Sequence, residues 1–210
     1  MNAHDDVDST RGRILTAAMQ LFGEQGYAGT RVGQIEAAAG LSRGAGGLYR
    51  HFPSKKAVLE AGISQAIETG TDLVGLIDDP SALSALPLEG RLLLVAQAAL
   101  RRLEHDRDLN RLVCRDLAQF PDLLTKVRDE EIVRTFEAFA AWLRHQPETE
   151  SRNDVDWDGV AAVLIGATFH YWFLRDTFRT HPTGIKEDRY VRTTVALTTA
   201  LAHNVDGDET

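Results

Sequence analysis

Thr30-Arg31-Val32-Gly33-Gln34-Ile35-Glu36-Ala37-Ala38-Ala39-Gly40-Leu41-Ser42 decides the reading of this chain. Thr30 is a helix-capping residue, and Val32, Ile35 and Ala38 or Ala39 follow it at helical spacing. Gly40 stops the helix and Leu41 plugs the turn. Ser42 then caps a further short helix ending around His51 and Phe52. Two short helices joined by so tight a turn make a helix-turn-helix pattern. Upstream, Ile14, Leu15, Ala18, Leu21 and Phe22 share one face of a helix that Ser9 or Thr10 can cap and Gly26 ends. Downstream, Pro53-Ser54 is a stop and a new start, with Val58, Leu59 and Ile63 inward on a longer helix.

The remainder is helical in pattern. Helices are expected near 54–76, 87–104, 107–118, 121–146, 156–180 and 186–204, punctuated at Pro80, Pro87, Pro121, Pro147 and Pro182. No alternating apolar and polar run is flanked by hairpin turns, so no sheet is expected. The fold class is all-α with about nine helices. A disordered acidic tail over 1–9 precedes a three-helix helix-turn-helix domain over 10–56 and a larger helical domain over 57–210.

Composition excludes several classes. Of 210 residues, 43% are hydrophobic and 26% charged, ordinary values for a globular protein rather than a disordered or fibrous one. Cys114 is the single cysteine, so no internal disulfide is possible. It reads as a small packed hydrophobe rather than a redox sensor. The N-terminus is acidic without an apolar core, unlike a signal peptide. The longest uncharged stretch, Gly159 to Leu174, is too short and too polar to span a bilayer, so a cytoplasmic protein with no membrane partner is expected.

Charge is divided unevenly. The net charge of the chain is −8, yet residues 9–56 carry seven basic and two acidic residues, whereas residues 57–210 carry 16 basic and 26 acidic ones. An anionic partner feels the local balance within a Debye length, so a small basic module is joined to an acidic body. Ser42, Arg43, Tyr49, Arg50 and His51 are donors pointing outward, and Gly44 and Ala45 between them let a backbone approach closely. Lys55 and Lys56 stand in a first helical turn, where a cation opposes the helix dipole unless a phosphate is bound there. Thr30 can offer its hydroxyl and a free backbone N–H to another phosphate, with Arg31 beside it. Double-stranded DNA is the partner this pattern suits, the second helix of the motif entering the major groove.

With these residues in place, the sequence closely resembles the Tet repressor (TetR) family of bacterial transcription regulators. The resemblance rests on Arg13-Ile14-Leu15-x-Ala17-Ala18-x-x-Leu21-Phe22, Gly26-Tyr27, Thr30, Ile35, Ala38-Ala39-Gly40-Leu41-Ser42 and Leu48-Tyr49-Arg50-His51-Phe52-x-Ser54-Lys55. It is strong over about residues 10–60; beyond them only helical pattern and length agree. It implies that Thr30, Tyr49, His51 and Lys55 touch phosphate, while the outward side of residues 42–47, Arg43 among them, reads bases. It also implies a ligand-responsive homodimer, expected to be a repressor on a palindromic operator, whose two recognition helices must sit about 34–36 Å apart on DNA. One departure stands out. The family places three residues between the capping serine and the Leu-Tyr pair, whereas Arg43-Gly44-Ala45-Gly46-Gly47 makes five here. The recognition helix is therefore longer, distorted, or ordered only on DNA.

Enzymatic readings fail on context. Gly40-Leu41-Ser42-Arg43-Gly44 matches G-x-S-x-G, but a nucleophile elbow needs a preceding strand and Ile35 to Ala39 reads as helix. Gly44-Ala45-Gly46 begins a dinucleotide motif that Tyr49 breaks. The histidines lack metal-ligand spacing. No catalytic residue, metal or cofactor is expected.

The helix over 156–180 is apolar nearly all round, which predicts burial on more than one side. Ala162 and Gly166 allow close helix approach, and Tyr171, Phe178 and Val195 join them in the expected dimer interface; the family resemblance implies a four-helix interface made by the last two helices of each subunit. Arg111, Arg115, Phe120, Phe136, Phe139, Trp142, His170 and Phe173 are candidates to line a small-molecule effector site, with Arg115 hinting at an anionic ligand. The competing class is a helical ligand-binding or adaptor protein that has lost DNA binding, motivated by the glycine-rich insertion.

Overall fold

The computed structural model describes residues 9–41, 46–69, 75–77 and 83–203. Nine α-helices and no strand occur among the described residues: α1 (Thr10–Gln25), α2 (Val32–Ala38), α3 (Lys55–Thr69), α4 (Leu88–His105), α5 (Arg107–Arg115), α6 (Pro121–Val127), α7 (Arg134–Arg144), α8 (Trp157–Phe178) and α9 (Glu187–His203). The all-α reading holds.

Local chemistry sets the boundaries. Ser9 caps α1 by accepting from the Gly12 N–H at 3.0 Å, and Gly26 ends it at φ 85°, a left-handed conformation that glycine enters without strain. Ser54 caps α3 through the Ala57 N–H, and Asp156 caps α8 through the Gly159 N–H. The expected helix over 121–146 is interrupted. A π-helical turn over Arg128–Val133 separates α6 from α7 where Asp129, Glu130 and Glu131 follow one another. Of the third short helix of the motif, Ser42, Arg43, Gly44 and Ala45 lie outside the described residues. Leu48–Arg50 after them is a single 3₁₀ turn.

The chain divides into two compact units. Residues 1–69 and 106–131 form the first, residues 70–105 and 132–210 the second. Packing runs across the expected division between 56 and 57. Val58, Leu59 and Ile63 of α3 join Ile14 and Phe22 of α1 in one core, which Leu112 of α5 and Leu117 complete. The second unit has its own core around Leu92, Trp142, Leu143, Ala161, Trp172 and Val191. Tyr171 lies flat between Tyr190 and His181, at centroid distances of 4.2 and 5.1 Å. That stack fastens the α8–α9 connection to α8 and α9.

Candidate nucleic-acid interface

Gly40 (φ 72°) makes the turn after α2, a conformation closed to most side chains. The Leu41 N–H donates to the Glu36 carbonyl at 2.8 Å. Leu48 is fully buried and locks the 3₁₀ turn onto the core, which leaves Tyr49, Arg50 and His51 outside. Tyr49 is 57% exposed, a large aromatic with its hydroxyl in water. Phe52 returns to the core. Arg31 is exposed at the entry to α2. Lys56 is exposed and pairs with Glu60 one turn on at 3.3 Å.

Two of the expected phosphate ligands are employed inside the unit instead. The Thr30 side chain is 1% exposed, and its hydroxyl donates to the Gly26 carbonyl at 2.8 Å or the Leu21 carbonyl at 3.1 Å. Its backbone N–H reaches the same loop, at 3.2 Å from the Gly26 carbonyl. The cap position of α2 passes to Arg31, whose N–H donates to the Gln34 side chain. Lys55 places Nζ 2.7 Å from the Tyr27 carbonyl and 2.9 Å from that of Thr30, above the Tyr27 ring. Both carbonyls belong to the loop between α1 and α2, and backbone acceptors without a helical partner attract a cation. Burial lowers the Lys55 pKa below the usual lysine value and raises that of the Tyr27 hydroxyl.

Other cations share this internal role. Arg11 donates to the His51 carbonyl at 3.0 Å and lies over the Phe52 ring. Arg13 donates to the Ala39 carbonyl at 3.3 Å. Arg115, expected beside a ligand, donates to the Phe22 carbonyl at 2.6 Å and closes the end of α1, while the Asp116 carboxylate accepts from the Tyr27 N–H. Glu36, 3% exposed, accepts from the Leu48 N–H at 3.1 Å. Sequence reasoning passed over Glu36, although a lone carboxylate between Ile35 and three alanines on a short core-facing helix was the available signal.

The eight effector candidates do not share one unit. Arg111, Arg115 and Phe120 belong to the first; Phe120 meets Tyr27 edge-on at 4.8 Å. In the second, Phe139 stacks on Trp142 at 5.9 Å with Phe136 beside that core, whereas His170 and Phe173 are exposed on α8. Among the interface candidates, Ala162, Gly166 and Phe178 are exposed. Tyr171 and Val195 are buried in the core of their own unit, so α8 and α9 turn them inward. The outward face is carried instead by Val163 and Phe178 on α8 and Leu197 on α9, 70%, 58% and 64% exposed. Cys114 is exposed rather than packed. Among the described residues no helix is long and apolar enough to cross a membrane.

The family model of bacterial regulatory proteins of the tetR family matches residues 14–61. Residues 14–61 are thus similar to the DNA-binding domain model of that family. That match runs through the Gly40-Leu41-Ser42-Arg43-Gly44 stretch. The chain is 29% identical over 120 residues to the HTH-type transcriptional regulator YvkB of Bacillus subtilis, covering 57% of this chain and 59% of that one. It is 44% identical over 52 residues to the HTH-type transcriptional regulator CymR of Pseudomonas putida, a quarter of each chain at 25%. The chain thus spans little more than half the length of one relative and a quarter of the other. The crystal structure of a tetR-family regulatory protein from Rhodococcus RHA1 shares the fold, with a TM-score of 0.67 at 18% identity over 95% of this chain and 100% of that one.

Proposed function

We propose that this chain is a TetR-family, sequence-specific DNA-binding transcription regulator, acting in the cytoplasm as a homodimeric repressor that a small molecule controls. The observation that carries the reading is the exposed set Tyr49, Arg50 and His51 directly after residues 42–47, with Arg31 exposed at the entry to α2, on a framework in which Arg11, Arg13 and Lys55 are spent on carbonyls. Donors fixed at the flanks position a protein on phosphates, while the intervening segment meets base edges. Residues 10–56 are the DNA-binding part and the second unit the effector-binding and dimerising part. The aromatic group Phe136, Phe139 and Trp142 supports effector binding there, and the exposed apolar face of α8 and α9 supports self-association. An effector changes DNA affinity only through its different affinity for the DNA-competent and incompetent states.

Selection from random duplex DNA by the full-length protein tests the reading. An inverted repeat is expected, with affinity that falls steeply as salt rises. Recovery of no sequence at all overturns it.

A further inference from the structure

Residues 42–47 are the segment in which this chain carries two more residues than the TetR pattern, and three of the six are glycines. A single residue holds both flanks of that segment. On the near side the Glu36 carbonyl accepts from the Leu41 N–H at 2.8 Å. On the far side the Glu36 carboxylate accepts from the Leu48 N–H at 3.1 Å. The second bond begins the 3₁₀ turn that carries Tyr49, Arg50 and His51. Gly47 occupies the cap position of that turn and has no side chain with which to cap it. Glu36 supplies the acceptor from twelve residues upstream. The carboxylate is 3% exposed and Leu48 is fully buried, so the bond is shielded from water and its loss leaves a buried donor unmet.

We propose that Glu36 is a positioning residue for DNA recognition: by holding Leu41 and Leu48 it fixes the start of the turn that carries Tyr49, Arg50 and His51, and so presents them to the duplex. The proposal rests on the DNA-binding reading above. Its chemistry is specific. The side chain must end in an acceptor at the reach of glutamate, and the negative charge is dispensable.

The test uses the full-length protein, the duplex it selects from a random pool, and a scrambled duplex of the same composition. In Glu36→Asp the acceptor retracts by one methylene, about 1.5 Å, and no longer reaches the Leu48 N–H. The ratio of affinity for selected over scrambled duplex is expected to fall about tenfold, the effect of one hydrogen bond. Amide exchange at Leu48 accelerates in parallel. Glu36→Gln keeps an acceptor oxygen in place and is expected to restore most of the ratio, while raising affinity for both duplexes because a negative charge is gone. A residue important only for folding lowers thermal stability without moving the ratio. If wild type discriminates between the duplexes and Glu36→Asp keeps that ratio, the positioning role is overturned. If wild type discriminates between none, the DNA-binding reading fails first, and the two failures are told apart by that control.

Discussion

In the unit built from residues 9–69 and 106–131, Ile14, Phe22, Ile35, Leu48, Leu59 and Leu112 are fully buried, and Tyr49 and Leu124 are the exposed large apolar residues among those described. In the other unit Leu86, Leu94, Ile132, Val133, Val163, Phe173, Phe178, Leu197 and Leu201 are all exposed. The first unit closes its core from within a short chain by recruiting α5 and α6, then satisfies its helix ends and loops with its own cations. Its surface is left polar, as suits an anionic partner. The second unit has an inner core of tryptophans and tyrosines and a surplus of apolar surface along α8 and α9. A surplus gathered on neighbouring helices marks an interaction surface. A helix apolar all round thus acquires two roles, one face for its own unit and one for the proposed second copy.

Removing apolar bulk from the two units separates these roles most sharply. Phe22→Ala empties a fully buried site in the first core, and its expected cost is about 3–5 kcal/mol in urea unfolding followed by fluorescence or circular dichroism. A cost below about 1 kcal/mol, the scale of an ordinary surface change, breaks the picture of a closed core there. Gly166→Trp makes the complementary change. A Cβ added at Gly166 meets nothing within 4 Å, so secondary structure is expected to persist. Self-association is expected to weaken by about 10- to 100-fold in sedimentation velocity, the effect of overpacking an interface. A variant that still sediments as wild type removes α8 from the interface.

Smaller effects sharpen the contrast between cations that hold the first unit together and cations offered outward. Lys55→Met loses two bonds to the Tyr27 and Thr30 carbonyls, an expected cost of about 1–3 kcal/mol in unfolding, with the salt slope of DNA binding unchanged. Arg50→Ala leaves stability near wild type and lowers that slope by about one. The reverse assignment of effects puts Lys55 back on phosphate. The smallest effect lies in the second unit, where the Arg152 guanidinium hydrogen-bonds the Asp154 carboxylate and pulls its pKa from 3.8 to about 2. A folded-state pKa below the unfolded one contributes stability present above pH 3.8 and lost as the pH falls through about 2. Titration of Asp154 by NMR is expected to return the usual carboxylate value in Arg152→Ala. An unmoved titration rejects the pair as its cause.

Much of the helical framework was legible because its causes are local. Ser9, Gly26, Ser54 and the apolar spacing of Ile14, Leu15, Ala18 and Phe22 act over one or two turns, where sequence and structure are nearly the same thing. The signature between Arg13 and Lys55 likewise carried the family resemblance over residues 14–61. What remained hidden was the destination of each polar side chain. Lys55 and Thr30 looked like phosphate ligands because both flank helix starts, and Tyr171 and Val195 looked like interface residues because α8 and α9 are apolar on several faces.

By itself, then, the sequence determined the all-α class, many of the helix starts, the helix-turn-helix pattern and its local positive charge, since these follow from neighbours within a few residues. Only the tertiary structure decided which donors are free to meet a partner. Lys55 meets carbonyls 25 and 28 residues away, Arg115 one 93 residues away, and Glu36 an N–H 12 residues on. A cation or carboxylate goes to the unsatisfied backbone group that folding brings within 3 Å, and that choice is made by packing across the chain rather than by spacing along it.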